Sequence, residues 1–235
     1  MNPAVVLVHG AFAESASWHG VVERLRDRDV DVVAVANPLR DLAGDAAYVR
    51  DVVAGIGRPV VLAGHSYGGM VITEAAAGSD QVAALVYVCA FAPEQGESAL
   101  ALSTRFPGST LGQALTAYPV STGGNEFAIR PDAFHHQFAA DVPSAQAAVM
   151  SATQRPVTEA ALTEGLPTDT PAWRTLPSWF VYGDEDLNIP AVLHRYLANR
   201  AGAKGIREVQ GGSHALAVSR PDAVTASILE AVAAV

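Results

Sequence analysis

The sequence has 235 residues, half of them hydrophobic, and its 15 basic and 24 acidic residues give a formal net charge of −9. A chain of this length and composition can bury a sizeable core and suits one α/β domain with an insertion. Its basic residues are scattered and form no run, which argues against binding to nucleic acid. The single cysteine, Cys89, cannot form an internal disulfide, and its apolar surroundings AALVYVCAF predict a buried side chain without a catalytic role.

Apolar runs typical of buried strands alternate with helix-length segments along most of the chain. Strand-like runs occur at residues 4–10, 30–36, 60–64, 83–90, 177–183 and 205–211. Helical spacing of apolar residues occurs at residues 17–28, 44–56, 67–78, 189–200 and 220–234. This alternation predicts an α/β fold with a mostly parallel six-stranded sheet and helices on both of its faces.

The alternation is interrupted once, after the fourth predicted strand. Residues 93–170 contain no convincing strand, only short helical pieces rich in Ala, Ser, Thr and Gln and divided by prolines. We therefore predict a helical cap at 93–170, inserted into a core formed by 1–92 and 171–235. Aromatic residues cluster in or beside this segment: Phe91, Phe106, Tyr118, Phe127, Phe134, Phe138 and Trp173. Such a segment must bury its apolar face, and we expect it to do so over the sheet edge.

The start of the chain bears on the expected location of the protein. Met1-Asn2-Pro3 leads into the strand-like run PAVVLVHG without a basic segment, so we expect no secretory signal. No apolar run reaches the length of a membrane span. The sequence thus predicts a cytoplasmic protein without a membrane partner.

The segment Gly64-His65-Ser66-Tyr67-Gly68 places a serine between the third predicted strand and the helix after it. A tight strand-to-helix turn forces strained backbone angles, and glycines on either side remove Cβ atoms that would clash. The pattern G-x-S-x-G in this context is typical of a nucleophile elbow. The backbone N–H of Tyr67, at the helix N-terminus, is then a candidate oxyanion donor. The alternative is a glycine-rich turn whose serine has no catalytic role.

A serine hydroxyl is a weak nucleophile and needs a general base within reach, together with a group that orients that base. Of the seven histidines, His214 follows the last predicted strand, where its loop would come over the serine turn. The orienting acid should follow the fifth strand, where spacing does not choose among Asp184, Glu185 and Asp186. The turn after the first strand offers the N–H of Ala11 as a second oxyanion donor.

The other histidines show no pattern of catalysis or metal binding. We expect His9 and His65 to pack or to bond backbone groups at the turns that follow their strands. We interpret the remaining four as surface or packing residues: His19, His135, His136 and His194. No cysteine or carboxylate stands at metal-ligand spacing from them, so no metal site is predicted.

Four motifs in chain order make the sequence similar to the α/β-hydrolase superfamily over nearly its whole length: VVLVHGAF, GHSYGG, GDEDLNIP and GGSHALAVSRP. The -HGA- and -GSHAL- contexts resemble the esterase branch that plant methylesterases share with hydroxynitrile lyases and many bacterial esterases. The resemblance implies the α/β-hydrolase fold, with Ser66 as nucleophile, His214 as base and Asp186 as acid. It also implies Ala11 and Tyr67 as the oxyanion donors.

Two positions depart from the lyases of this branch. Where the lyases have a lysine after the catalytic histidine and a threonine after the histidine of the first motif, this chain has Ala215 and Gly10. This difference argues against lyase activity. The sequence therefore predicts a cofactor-free carboxylic ester hydrolase that converts a small-molecule ester through an acyl-enzyme. Alternatives are the same triad in lactone or C–C bond hydrolysis, perhydrolysis or cyanohydrin cleavage, and a receptor of this fold that only binds ligand.

Overall fold

The structure, a computed structural model, describes residues 3–121 and 123–235. The strands in these ranges are β1 (Ala4–Val8), β2 (Val32–Val35), β3 (Val60–His65), β4 (Val82–Val88), β5 (Leu115–Pro119), β6 (Asn125–Ile129), β7 (Val157–Thr158), β8 (Ser178–Gly183) and β9 (Gly205–Val209). The α-helices are α1 (His19–Arg26), α2 (Leu42–Ile56), α3 (Gly68–Ala75), α4 (Ala99–Ser103), α5 (Leu111–Ala114), α6 (Pro131–Phe138), α7 (Ser144–Thr153), α8 (Glu159–Thr163), α9 (Ala191–Arg200), α10 (Leu216–Ser219) and α11 (Pro221–Ala233). Short 3₁₀ helices occur at Ser15–Trp18 and Ala172–Arg174.

The main sheet has six strands in the order β2-β1-β3-β4-β8-β9, and every neighbouring pair is parallel. All residues of β1, β3 and β8 are buried, whereas residues of the edge strands β2 and β9 are partly exposed. Central strands of a parallel sheet are covered by helices on both faces, which is why their sequences read as continuous apolar runs. The predicted α/β fold with six strands is confirmed.

The helices form two layers around this sheet. Helix α1 packs against α11, and α2 packs against α3. Right-handed crossovers place α1 and α2 on opposite faces of the sheet. Because all six strands run in the same direction, the loops that follow them meet at the carboxyl edge. In the described part of the chain, none of the helices combines the length and the apolar character that crossing a membrane requires.

The segment between β4 and β8 contains helices α4 to α8 and also an antiparallel sheet in the order β5-β6-β7. The expectation that residues 93–170 contain no strand is therefore wrong. Strands β5 and β6 flank a turn in which Gly123 and Gly124 have positive φ angles of 96° and 77°, which is a hairpin signal. Pro119 argued against a strand at the sequence level, because a proline is tolerated only in an edge strand, and β5 is one. Thr122 lies outside the described residues.

The cap sheet is attached to the core through the loop that precedes α2. The guanidinium of Arg40 forms an ion pair with Glu126 of β6. Next to it, the backbone N–H of Thr158 donates to the carbonyl oxygen of Leu39 at 3.2 Å. These contacts hold one side of the cap to the carboxyl edge of the main sheet.

Candidate active site

Ser66 lies in the tight turn between β3 and α3, with a φ angle of 55°. This left-handed conformation is uncommon for residues other than glycine and indicates strain. A Cβ atom on Gly64 would lie 2.5 Å from the carbonyl oxygen of Gly68, and one on Gly68 would lie 2.4 Å from that of Val8. The prediction that this turn requires its glycines is confirmed. The carbonyl oxygen of Ser66 accepts the N–H of Phe91 at 3.2 Å, which ties the turn to the end of β4.

Two backbone N–H groups beside Ser66 are without an acceptor among the described residues. They belong to Ala11, in the turn after β1, and to Tyr67, at the start of α3. The next N–H in the first turn, that of Phe12, donates instead to the carbonyl oxygen of Arg155 at 3.1 Å. A Cβ on Gly10 would lie 2.6 Å from Ser66 Cβ, so the first turn is packed directly against the serine. The structure therefore brings both predicted oxyanion donors next to Ser66.

Asp186 and His214 meet at the carboxyl ends of β8 and β9. The Oδ2 atom of Asp186 lies 2.7 Å from His214 Nδ1, and both side chains are buried. Its Oδ1 atom accepts the backbone N–H groups of Asn188 at 2.8 Å and Ile189 at 2.9 Å. Burial by itself would raise the pKa of Asp186, but attraction to His214 and hydrogen bonds from His194 and His214 hold that pKa well below its usual value. Asp186 is therefore an ionised acceptor that fixes a proton on His214 Nδ1.

The neighbouring acidic residues have different surroundings. Asp184 is exposed, and its Oδ1 accepts the backbone N–H of Gly211 at 2.7 Å. Glu185 is also exposed. Among the three acids that spacing left open, Asp186 alone is buried and bonded to a histidine ring in the described part of the chain.

The loop that carries His214 is held from both sides. His65, next to Ser66, donates its Nε2 proton to the carbonyl oxygen of His214 at 3.0 Å. Burial lowers the pKa of His65 to about 3, so its ring is neutral. From the cap, the carbonyl oxygen of Phe138 accepts the N–H of Ala215 at 2.9 Å, and the Phe138 ring meets the His214 ring edge-on. His214 is thus fixed beside the turn of Ser66.

The structure also bears on the other histidines. His9 contacts the carbonyl oxygen of Gly10 through Nδ1 at 2.9 Å, and burial lowers its pKa to about 4. The expectation that His9 and His65 bond backbone groups is confirmed. His194, interpreted from sequence as a surface or packing residue, is fully buried and lies 3.3 Å from Asp186 Oδ2 through Nε2. Sequence reasoning missed this contact, although the apolar Leu197 and Ala198, three and four residues further along the helix, are a signal that His194 lies on its buried face.

One group of side chains has atoms close enough to share a metal ion among the described residues, namely Cys89, Asp186 and His214. Its chemistry does not favour metal binding. Burial raises the pKa of the Cys89 thiol well above its usual value, which disfavours the thiolate that a metal requires. His214 Nδ1 donates a proton to Asp186 and therefore offers no lone pair on that side. Cys89 is buried, as predicted.

A cavity of about 480 Å³ opens in front of Ser66. The core contributes Ala11, Ser66 and Tyr67 to its wall, and the cap contributes most of the remainder through α4, α5 and residues 106–110. The wall is largely apolar, with hydroxyl and amide groups but no charged side chain among the described residues that form it. The site therefore suits an uncharged ligand of modest size.

Comparison with known proteins agrees with this architecture. The profile described as "Alpha/beta hydrolase family" matches residues 5–227. The chain is 29% identical over 254 residues to "Alpha/beta hydrolase nvfD" of Aspergillus novofumigatus (strain IBT 16806), covering 98% of this chain and 97% of that protein. It is 36% identical over 110 residues to the "Carbendazim hydrolyzing esterase" of Nocardioides sp. (strain SG-4G), covering 41% and 46% of the two chains. The crystal structure of polyneuridine aldehyde esterase matches with a TM-score of 0.83 at 18% identity, covering 98% of this chain and 99% of that one. With a profile match over nearly its whole length and the fold described above, the chain belongs to the alpha/beta hydrolase family.

Proposed function

We propose that this protein is a carboxylic ester hydrolase that acts on small, mainly apolar esters through the triad Ser66, His214 and Asp186. The observation that carries the proposal is the buried 2.7 Å contact between Asp186 and His214 beside a strained serine turn. Strain of this kind persists where the surrounding structure enforces it, and such places are often functional sites. The esterase names of two proteins similar to this chain support the same reaction class.

In the proposed reaction, Ser66 Oγ attacks the ester carbonyl while His214 Nε2 accepts its proton. Asp186 holds the His214 tautomer that leaves Nε2 free and stabilises the imidazolium that forms. The N–H groups of Ala11 and Tyr67 bind the negative oxygen of the tetrahedral intermediate. His214 then protonates the departing alcohol and activates the water that hydrolyses the acyl-enzyme. The reaction needs no cofactor.

The cavity supports a neutral substrate with a short acyl group. Its wall carries no charge among the described residues, so an anionic ester would lose hydration without gaining a partner. Each buried methylene contributes about 0.8 kcal/mol until the space is filled. We therefore expect kcat/KM on p-nitrophenyl esters to peak among short acyl chains and to be poor for a palmitoyl ester.

The test is labelling by a fluorophosphonate probe, which reacts with an activated serine. We expect wild type to be labelled at Ser66, and Ser66→Ala to lose both labelling and about 10⁶-fold of its ester turnover. Ser151→Ala, a change of the same kind in α7, should behave as wild type. A wild-type protein that is folded yet neither labelled nor active on any ester of the panel would instead be a ligand-binding receptor.

A further inference from the structure

A second buried histidine shares the carboxylate of the proposed triad. Asp186 Oδ2 lies 2.7 Å from His214 Nδ1 and 3.3 Å from His194 Nε2. The side chains of Asp186 and His194 are completely buried, and that of His214 nearly so. In the mechanism described above, His194 has no role. A buried, polar side chain in contact with the acid of a triad requires a physical explanation.

The hydrogen bonds determine the protonation of His194. A carboxylate only accepts hydrogen bonds, so the His194 nitrogen that faces it carries the proton. The other nitrogen, Nδ1, is buried and has no hydrogen-bond partner among the described residues. Burial lowers the pKa of His194, in keeping with a neutral ring whose only function toward Asp186 is to donate.

The ring of His194 is held in this orientation by the fold. It stacks on Tyr182 with a centroid distance of 4.8 Å and an angle of 15° between the rings. Its backbone N–H donates to the carbonyl oxygen of Pro190 in the first turn of α9. The loop just before α9 supplies the N–H groups that bind Asp186 Oδ1, those of Asn188 and Ile189. Helix α9 and the loop before it therefore provide the carboxylate with hydrogen bonds in addition to the one from His214.

We infer that His194 is a positioning residue for the proposed triad, because its Nε2–H group donates a hydrogen bond to Asp186 Oδ2, which thereby interacts with two histidines at once. The inference rests on the proposed function. Its first consequence is a fixed carboxylate orientation. Its second consequence is a weaker electrostatic attraction between Asp186 and the proton on His214 Nδ1, since His194 compensates part of the negative charge of the carboxylate. A weaker attraction also gives less stabilisation to the imidazolium that forms when His214 accepts a proton.

The pH dependence of this arrangement involves few other ionisable groups. Those that face His194 from the elements packed against it are Asp186, His214, Tyr182 and Glu208. The Glu208 carboxylate accepts the hydroxyl of Tyr182 and is paired with Arg195. Its charge is therefore compensated on the far side of the Tyr182 ring.

The test compares two substitutions of His194, one without and one with an N–H donor for Asp186. His194→Phe keeps a flat ring for stacking on Tyr182 but removes the N–H. His194→Gln places an amide N–H near the position of Nε2. We expect the acidic limb of the kcat/KM profile to move upward by about one pH unit in His194→Phe and kcat to fall about tenfold. In His194→Gln, both should return most of the way to wild type. His136→Phe, at an exposed histidine, is the matched control.

A readout that does not depend on turnover separates this inference from the proposed function. The NMR titration of the His214 ring proton, recorded without substrate, should show its midpoint moved in the same direction in His194→Phe. If this shift is found in a protein without esterase activity, the inference holds and the proposed function is wrong. If His194→Phe and His194→Gln are folded and both match wild type in profile and titration, or lose activity equally without a shift, His194 only fills space.

Discussion

The core and the cap contribute to the candidate site in different ways. In the core, Ser66, Asp186 and His214 stand at the ends of strands, and backbone requirements fix their surroundings. Gly64 and Gly68 have no room for a side chain because carbonyl oxygens would lie within 2.5 Å of it. In the cap, short helices and loops supply most of the cavity wall. The difference suggests that the chemistry depends on the core and the choice of substrate on the cap.

After Ser66→Ala, the largest effect should come from a comparison of two acids in one core loop, Asp186 and Asp184. Asp186→Asn should lower kcat by roughly 10⁴, because an amide can donate to His214 and stabilise the wrong tautomer. Asp184→Asn keeps an oxygen for the N–H of Gly211 and should change kcat little. Steady-state kinetics on a short p-nitrophenyl ester compare the two variants. The reverse ranking would move the acid to Asp184.

A glycine pair tests whether backbone fit is what distinguishes the core. Gly10→Ala should reduce kcat by about 10²–10³, because its Cβ would lie 2.5 Å from the carbonyl oxygen of His65 and displace the donor at Ala11. Gly55→Ala, in α2, meets nothing within 4 Å. It should leave kcat unchanged and raise the free energy of unfolding by about 0.5–1 kcal/mol, as measured in urea. An active Gly10→Ala enzyme would show that the turn tolerates displacement.

In the cap, a substitution should change selectivity more than rate. Phe106 lines the cavity at Ser66, and its ring also packs against Tyr196 of α9. Phe106→Ala should move the preferred acyl chain to greater length, with each newly accommodated methylene raising kcat/KM about fourfold. Val149→Ala, at an exposed position of α7, serves as the control. An unchanged chain-length profile in Phe106→Ala would contradict a cap that limits the acyl group.

The last comparison concerns stability instead of activity and contrasts a buried core histidine with an exposed cap histidine. The pKa of His65 is about 3 in the fold against an ordinary value of 6.5, so the unfolded chain binds more protons between these values. The free energy of unfolding therefore falls as pH falls from 6.5 toward 3. His65→Gln keeps a donor for His214 and should make this fall shallower by up to about 1.4 kcal/mol per pH unit. Urea unfolding at several pH values measures it, and His136→Gln should leave the slope unchanged.

The sequence predicted the core far better than the cap, for a physical reason. Strands such as β1 and β3 are buried on both faces and therefore appear as unbroken apolar runs. The strands of the cap are short, and residues of β5 are mostly exposed, so their pattern is weak. A hairpin signal was present at Gly123-Gly124 but was outweighed by the prolines around it.

In the candidate site, likewise, some features follow from the local sequence and others depend on how distant segments pack together. The glycine spacing around Ser66 is a local backbone requirement and can be read from five residues. Spacing did not distinguish Asp184 from Asp186, because both lie in one loop and only the loop conformation decides which side chain faces His214. His194 was missed because its contact with Asp186 depends on the orientation of α9 against that loop.

The contacts between cap and core restrict how this protein can be engineered by exchange of parts. The Gln137 side chain donates to Asn188 Oδ1 at 2.7 Å, and the Phe138 carbonyl oxygen holds the N–H of Ala215. Both partners belong to the loops that carry Asp186 and His214. A chimera that received a foreign cap at 93–170 would lose these supports together with the cavity wall. Transplants intended to alter selectivity should therefore replace residues 99–115 and keep the end of α6.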